Sequence, residues 1–158
     1  MSNVFMVVSS LTKDSNSLNP IMKSNAMRLL STILTVENFG LIDRHYKQAL
    51  MDKSLKVQKA ALASGIILSS KASEYIKKWS IEIQEALKSE DPYVVYLALI
   101  LTSILRSADP VMMSKVIRTT SETKGVMAQC QIIKMLKRLL LTPELNYLLR
   151  QVNSFNNL

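Results

Sequence analysis

The sequence predicts an all-α protein, and three observations support this prediction. Three Gly and four Pro occur among 158 residues, which leaves few turn signals for strands and hairpins. Residues that favour helix, such as Ala, Leu, Met, Lys, Gln and Glu, are plentiful. Apolar residues also recur at helical spacing in segments that are separated by polar or proline-containing breaks. We therefore expect helices along the whole chain.

Length and composition bound the class of protein. With 48% hydrophobic and 20% charged residues, the chain is able to bury a core and suits one domain or a piece of a larger one. The longest apolar run is well short of the roughly 20 residues that a membrane-spanning helix needs, and the N-terminus has no secretory signal pattern. The single cysteine, Cys130, excludes an internal disulfide framework. We expect a protein of the reducing cytosol.

The first half of the chain is predicted to contain four helices. The first covers about 3–12 and begins with an unbroken apolar block whose packing partner is missing. After a linker rich in Ser and Asn, Pro20 opens a helix that reaches about residue 34. Asn38 is predicted to cap a third helix, which runs to about residue 53. The fourth covers about 55–70, and the small residues in its middle favour close approach of neighbouring helices.

An amphipathic helix is predicted at about 73–88. Within it, Glu74 and Lys78 have the i, i+4 spacing of a helical ion pair. Its apolar side is expected to face inward and comprises Tyr75, Ile76, Trp79, Ile83, Ala86 and Leu87. The polar opposite side indicates an outer position in the fold.

The segment from Asp91 to Leu105 is predicted to be the central helix. Its residues from 94 onward include only two small polar positions, Thr102 and Ser103. A helix that faces solvent would show a single apolar stripe, which this segment does not. We therefore expect neighbouring helices to cover it on both sides.

Three further helices are predicted beyond the central one. Asp109 and Pro110 open the first, and Gly125 ends it. The second spans about 126–141, and Pro143 starts a last short helix that reaches about residue 152. The polar tail, residues 153–158, is expected to fray.

These helices come in pairs that repeat. The first helices of the pairs begin near Pro20, Leu55, Pro92 and Val126, which are 35, 37 and 34 residues apart. In the first three units an alanine lies six positions after the start, namely Ala26, Ala61 and Ala98. A two-helix unit of this period indicates an α-solenoid of HEAT or armadillo-like repeats, with about four repeats. The alternative is a closed helical bundle. We expect residues 1–158 to form a single solenoid segment of a longer trunk.

The basic balance of the chain raises the question of an anionic partner. The net charge is +8, and the part from Arg106 onward holds eight Lys and Arg against three acids. This pattern is compatible with nucleic acid or an anionic membrane surface. That part of the chain nevertheless lacks an Arg-rich run and has only two aromatic residues for base stacking, so a solvated basic face is favoured over a nucleic-acid site.

Reactive side chains are too few for catalysis. The single histidine, His45, is interpreted as a surface or groove residue, and Cys130 as a buried free cysteine, although a Cys-His pair is not excluded by their separation of 85 residues. The acids that cluster in sequence belong to a helix surface and a turn rather than to a metal site; they are Glu82, Glu85, Glu90 and Asp91. The sequence thus predicts no enzyme, no cofactor and no metal.

Two further features invite a functional interpretation. The glycines at 40, 65 and 125 do not form a phosphate-binding loop. The nine Met residues are interpreted as core filling, with an adaptable binding surface as the alternative. Neither feature points to a specific ligand.

Several blocks of residues resemble those of a known family. They are Val8-Ser9-Ser10-Leu11-Thr12-Lys13-Asp14, Tyr46-Lys47-Gln48-Ala49 with Asp52-Lys53, Lys78-Trp79 with Gln84-Glu85-Ala86, and Ser114-Lys115-Val116. In this order and spacing they resemble the trunk of coatomer gamma subunits of the COPI vesicle coat, over about residues 4–137. Asn19-Pro20-Ile21-Met22 and Asp91-Pro92-Tyr93-Val94 also resemble the large-subunit trunks of clathrin adaptors, a related group. One departure is Lys23-Ser24-Asn25, where typical gamma subunits are expected to carry Arg-Gly-Pro.

The resemblance implies a structural role in vesicle transport from Golgi to endoplasmic reticulum and within the Golgi. The implied partners are other coatomer subunits and a GTP-bound Arf-type small GTPase, with peripheral association with Golgi membranes and COPI-coated vesicles through the coat. A clathrin-adaptor trunk and a basic helical-repeat protein that binds nucleic acid remain the alternatives. No contact residue follows from the resemblance. Chemistry alone suggests Asp91 and Tyr93 as contact residues, since they place an exposed aromatic beside charge at a helix end, but packing of Tyr93 on its own turn is the favoured interpretation.

Overall fold

A computed structural model describes the chain from Ser2 to Leu141, with side chains from Val4 onward. The described part consists of helices and contains no strand. The all-α prediction is therefore confirmed. The helix predicted to start at Pro143 and the tail at 153–158 lie outside the described residues.

Nine α-helices and one 3₁₀ turn make up the described part. In chain order they are α1 (Ser2–Ser15), α2 (Pro20–Ile33), α3 (Val36–Phe39), α4 (Asp43–Leu50), α5 (Leu55–Ile76), the 3₁₀ turn Lys77–Trp79, α6 (Ser80–Ala86), α7 (Pro92–Leu105), α8 (Pro110–Thr120) and α9 (Val126–Leu140). Three of them start with the same device, in which an Asn or Asp side chain caps a helix whose first residue is proline: Asn19-Pro20, Asp91-Pro92 and Asp109-Pro110.

Four inner helices stack in a row and form the solenoid. The helix α2 packs on α5, α5 on α7, and α7 on α9, and these four begin at the predicted unit starts. Each outer helix packs on the inner helix that comes next in the chain: α4 on α5, α6 on α7, and α8 on α9. Since consecutive units contact one another in sequence, the arrangement is that of HEAT or armadillo-like repeats rather than of a closed bundle.

The central helix α7 is buried as predicted. It contacts α5, α6, α8 and α9. The hydroxyls of Thr102 and Ser103 are buried too, and each donates a hydrogen bond to the carbonyl four residues back, at 2.8 Å. Polar side chains are tolerated inside this helix because the helix backbone itself accepts their hydrogen bonds.

The outer layer is more broken than the sequence indicates. Asn38 does not cap a long helix, because it lies inside the single-turn α3 and its amide donates to the Thr35 hydroxyl. The expected helix at 73–88 is interrupted by the 3₁₀ turn, and the preceding residues continue α5 through a kink at Ala72. The predicted Glu74–Lys78 pair is wrong as well: Glu74 pairs with Lys77 at 2.6 Å.

An aromatic cluster explains the interruption. The rings of Tyr46 and Trp79 lie 5.3 Å apart, and Phe39 stacks on Trp79 at 6.0 Å. All three side chains are fully buried, and each contributes roughly 1.5–3 kcal/mol through burial. The indole N–H of Trp79 donates to the Asp43 carboxylate at 2.6 Å. The packing of Trp79 in this cluster therefore favours a 3₁₀ turn at 77–79 over a continuous α-helix.

The same cluster is joined to the inner row through Tyr46. Its hydroxyl donates to the carbonyl of Met27 in α2, at 2.7 Å, and the Ser64 hydroxyl of α5 donates to the same oxygen at 3.1 Å. Burial raises the pKa of Tyr46 far above its ordinary value, although the hydrogen bond with Ser64 opposes this shift. The phenol is therefore a neutral structural donor that ties α4 to α2.

Gly65 allows α5 to approach its neighbours. A Cβ at this position would lie 3.0 Å from Leu101 Cδ2 of α7 and 3.1 Å from Trp79 Cζ3. Both contacting side chains are fully buried, so neither has space to move away. The prediction that small residues here serve helix packing is confirmed.

Ion pairs connect successive units at the N-terminal ends of the inner helices. Lys23 of α2 pairs with Asp52 at 2.6 Å, and Lys59 of α5 pairs with Asp91 at 2.7 Å. In each case a lysine of one unit holds the acid that precedes the next unit. At the third junction the backbone of Gly125 packs closely on Pro92 instead: a Cβ on Gly125 would lie only 2.4 Å from Pro92 Cβ. The fourth unit also differs from the first three at the position of the shared alanine, where it has Ile132.

Both junction carboxylates favour their charged form. The hydrogen bond from Lys59 lowers the pKa of Asp91, with burial opposing and the Val94 and Tyr93 amides adding to the decrease. Burial would raise the pKa of Asp52, yet its bonds with Lys23 and the Ser54 amide keep that pKa below its ordinary value. Hydrogen bonds to a carboxylate stabilise the ionised state.

We predict that Gly65→Ala destabilises the protein. The overpacking cost of about 1–3 kcal/mol exceeds the gain of about 1 kcal/mol in helix propensity, so the free energy of unfolding falls by about 1 kcal/mol. Gly40→Ala is the matched control, since a Cβ there meets nothing within 4 Å. Urea denaturation measures both variants. A Gly65→Ala protein more stable than wild type would contradict the close packing described above.

We predict that Asp91→Asn lowers stability by about 1 kcal/mol at neutral pH, because the cap is kept but the charged bond with Lys59 is lost. A depressed folded-state pKa contributes stability above the unfolded-state pKa of about 3.9, and this contribution is lost as pH falls through the folded-state value. The variant should therefore lose less stability than wild type on acidification below about pH 5. Unfolding free energies measured across this range provide the test.

Glu85→Gln provides the control for that experiment. Glu85 pairs with Lys88 at 2.6 Å, but both side chains are well exposed, at 47% and 61%. Removing an exposed pair changes stability little. Identical acid dependence of the wild-type and Asp91→Asn proteins would show that the Lys59–Asp91 bond has no role in stability.

Candidate interaction surfaces

Asp91 and Tyr93 lie together at the start of α7, as the sequence indicates. Asp91 Oδ1 accepts from the amides of Tyr93 and Val94, and Oδ2 accepts from Lys59. The centroids of the Tyr93 and Tyr96 rings lie 5.7 Å apart, and Lys59 Nζ lies 5.6 Å from the centroid of the Tyr93 ring. Both residues thus have structural roles in the turn. Tyr93 nevertheless remains 46% exposed, and its use as a partner contact stays a prediction.

His45 connects the end of α1 to α4. Its Nδ1 lies 3.2 Å from Asn16 Oδ1 and 3.5 Å from the Ser15 hydroxyl. Burial lowers the pKa of His45, and the charge of Arg44 lowers it further. A largely neutral imidazole that bridges two segments agrees with the groove position expected from the sequence.

Cys130 is exposed, so the prediction of a buried cysteine is wrong. The buried residues of α9 are Ala128, Ile132 and Met135, which share one face of the helix. Cys130 follows Ala128 by two residues, or roughly 200° around the helix axis, and therefore points away from that face. An apolar sequence context did not imply burial because α9 is covered on one side.

The methionines divide between core and surface. Met27, Met113 and Met135 are buried, as the core-filling interpretation requires. That interpretation is wrong for four others, whose exposed fractions range from 47% to 68%: Met6, Met22, Met51 and Met127. Met6, Met22 and Met127 lie on three different helices and Met51 follows the end of α4, so these four do not by themselves define a binding surface.

The apolar block at the start of α1 is exposed. Its exposed fractions are 48% for Val4, 65% for Phe5, 68% for Met6 and 49% for Val7. Val8 alone of this block is buried, where α1 packs on α2. The sequence-based expectation that this helix lacks a partner for its apolar block is confirmed for the described residues.

A basic groove runs between α7 and α9 and has a volume of about 450 Å³. Its apolar residues are Ile100, Ile104, Met135 and Leu141, and its cations are Lys134, Lys137 and Arg138. At its base the Gln131 amide of α9 donates to the Ser103 hydroxyl of α7 at 3.1 Å. The sequence shows the basic excess in this part of the chain but not the groove, because the two helices meet only in the fold.

Other kinds of site find little support in the described part of the chain. Residues 2–141 contain no group of three or more His, Cys, Asp or Glu side chains placed to hold a metal ion. No helix within these residues has the length and apolar character needed to cross a membrane. The candidate sites in this part of the chain are therefore exposed helix surfaces and the grooves between helices.

Comparison with known proteins gives a consistent result. Coatomer subunit gamma-2 of Oryza sativa subsp. japonica is 38% identical over 133 residues, which cover 83% of this chain and 15% of that protein. Coatomer subunit gamma of Arabidopsis thaliana is 37% identical over 133 residues, with the same coverage of 83% and 15%. The Drosophila melanogaster coatomer subunit gamma is 34% identical over 140 residues, covering 87% of this chain and 16% of the fly protein.

These matches cover most of this chain but a small part of each relative. The resemblance to coatomer gamma subunits is confirmed across most of the chain, which spans about 15% of the length of these relatives. A family model described as "Adaptin N terminal region" matches residues 2–155. Together with the stacked helix pairs, this match shows that the chain belongs to the adaptin N-terminal region family.

Proposed function

We propose that the chain acts as a structural part of a coatomer gamma-type subunit of the COPI coat, in transport from Golgi to endoplasmic reticulum and within the Golgi. The observation that carries this proposal is the identity of 34–38% to coatomer gamma subunits of plants and fly over 133–140 residues. The adaptin-type solenoid is the framework on which such a role depends. The proposed role is non-catalytic.

The geometry supports a scaffold because each unit is fixed to the next. The inner helices share a continuous buried row, and two junctions are closed by lysine–aspartate bonds. A solenoid of this kind keeps its curvature and presents an extended ridged surface. Exposed apolar side chains at α1 and along α9 provide area that other proteins of a coat would cover.

Recruitment by a GTP-bound Arf-type small GTPase is part of the proposal. Association with Golgi membranes and COPI-coated vesicles would then be peripheral and would pass through the coat and the GTPase. The net charge of +8 favours proximity to an anionic membrane surface, where each basic residue near the lipid contributes about 1 kcal/mol.

We predict that the tagged 158-residue chain retains other coatomer subunits from a co-expression mixture and retains Arf locked with GTP more strongly than Arf locked with GDP. Affinity capture followed by immunoblotting measures both. A specific interface of the usual size, about 1,200–2,000 Å² in total, should survive washing at moderate salt. Loss of both interactions would contradict the proposed function.

Two alanine variants test the predicted contact at the start of α7. Tyr93→Ala should reduce retention of one partner several-fold if the exposed ring is a contact. Ile81→Ala, at a residue of α6 that is 72% exposed, is the matched control. Circular dichroism of both variants confirms that they are folded. Equal retention by both would leave Tyr93 as a packing residue of the turn only.

A further inference from the structure

The groove between the C-terminal halves of α7 and α9 combines an apolar floor with a basic rim. Met135 is 1% exposed and Ser103 4%, so both lie at the bottom of the groove. Ile104 and Leu141 are 45% and 67% exposed and form apolar walls that face outward. The groove is open to solvent and about 450 Å³ in volume, within the size range of ligand sites.

The rim carries positive charge that no carboxylate among residues 4–141 compensates. Lys134, Lys137 and Arg138 are exposed and line the groove, and none forms an ion pair with any carboxylate of the described residues. The whole of α9 contains no acidic residue. Lys137 and Arg138 lie in the last turn of α9, where they also interact favourably with the helix dipole. That effect does not account for Lys134 or for the apolar floor.

A second groove on the protein is lined by charges of both signs. It lies beside the loop that precedes α7 and the loop that follows α8, and its volume is about 490 Å³. Two lysines and two glutamates line it: Lys88, Lys124, Glu90 and Glu122. The opposite signs balance there, whereas the described lining residues of the α7–α9 groove include three cations and no acid.

We propose that the α7–α9 groove binds an acidic amphipathic helix of a partner protein. The apolar face of such a helix would cover Ile104, Met135 and Leu141, and its carboxylates would pair with the three rim cations. Helix-in-groove recognition uses this division between apolar anchors and charged flanks. The proposal rests on the groove alone and does not depend on the coat assignment.

The shape of the groove favours a helix over the other anionic ligands. A lipid surface is flat and cannot reach a floor that lies between two helices. Nucleic acid would place phosphates on the rim but offers little aliphatic surface for the floor, and no aromatic side chain among residues 4–141 lines the groove for base stacking. An acidic helix satisfies the charge and the apolar surface together.

The test uses the whole 158-residue chain and a fluorescein-labelled peptide probe. The probe is a helix-forming peptide of about 15 residues with Leu on one face and Glu on the other, because shorter helices are marginal in water. Its matched partner has Gln in place of every Glu. Fluorescence anisotropy should show saturable binding of the Glu probe, weaker binding of the Gln probe, and a loss of affinity as salt is raised.

Charge variants locate the site. Lys134→Gln, Lys137→Gln and Arg138→Gln combined should weaken binding of the Glu probe by about tenfold, because three exposed ion pairs with the probe are lost and each contributes modestly. The control carries the same charge change at Lys115→Gln, Arg118→Gln and Lys124→Gln, on α8 and the loop after it, and should bind as wild type does. Thermal unfolding of both triple variants verifies the fold.

Several results would overturn the proposal. One is the absence of saturable binding of the Glu probe to the whole chain. Another is an equal loss of affinity in both triple variants, which would indicate net charge rather than a site. A third is tighter binding of phosphatidylserine vesicles or of a single-stranded RNA oligonucleotide than of the Glu probe, with the same dependence on Lys134, Lys137 and Arg138.

Discussion

Close approach of the inner helices is the constraint on which the rest of the structure depends. Ala26, Ala61 and Ala98 occupy the same position in three successive units and are 2%, 0% and 0% exposed. Gly65 brings α5 against both Leu101 and Trp79. Larger side chains here would separate the helix axes and open voids along the row. The outer helices, the junction bonds and the surface grooves all take their positions from this row.

The polar interactions of the fold reinforce the row rather than create it. Tyr46 and Ser64 share the carbonyl of Met27, which fixes α4 and α5 relative to α2. Lys59 and Asp91 close the next junction at the start of α7. Each bond contributes on the order of 1 kcal/mol, which is small beside the burial of the aromatic cluster. Their value lies in setting the register between units, because each has one geometry that satisfies both partners.

Helical period and proline positions were sufficient to predict the inner row. The starts at Pro20, Leu55, Pro92 and Val126 follow from capping chemistry and from apolar runs, which are local properties. The outer layer was harder to predict, because tertiary contacts decide it. The break at 77–79 depends on where the Trp79 indole is seated, and the position of Asn38 depends on a single-turn helix that propensity does not indicate.

The interaction surfaces were the least predictable part. The sequence placed Asp91 and Tyr93 correctly at a helix start but gave no sign that Lys59, 32 residues earlier, engages the carboxylate. The α7–α9 groove arises from helices whose facing residues are about a unit apart in sequence, and Cys130 is exposed because it lies on the side of α9 opposite the buried residues of that helix. Such features depend on which faces pair, and periodicity leaves that choice open.

Native-state amide hydrogen exchange tests the central claim most directly, since it resolves the opening free energy of each helix. The helices α5 and α7 have inner helices on both sides, whereas α1 packs on α2 and exposes its apolar block. If the stacking of the inner helices is the source of stability, the opening free energies are highest in α5 and α7 and exceed those of α1 by at least about 1 kcal/mol. Protection in α1 equal to that in α5 and α7 would contradict it.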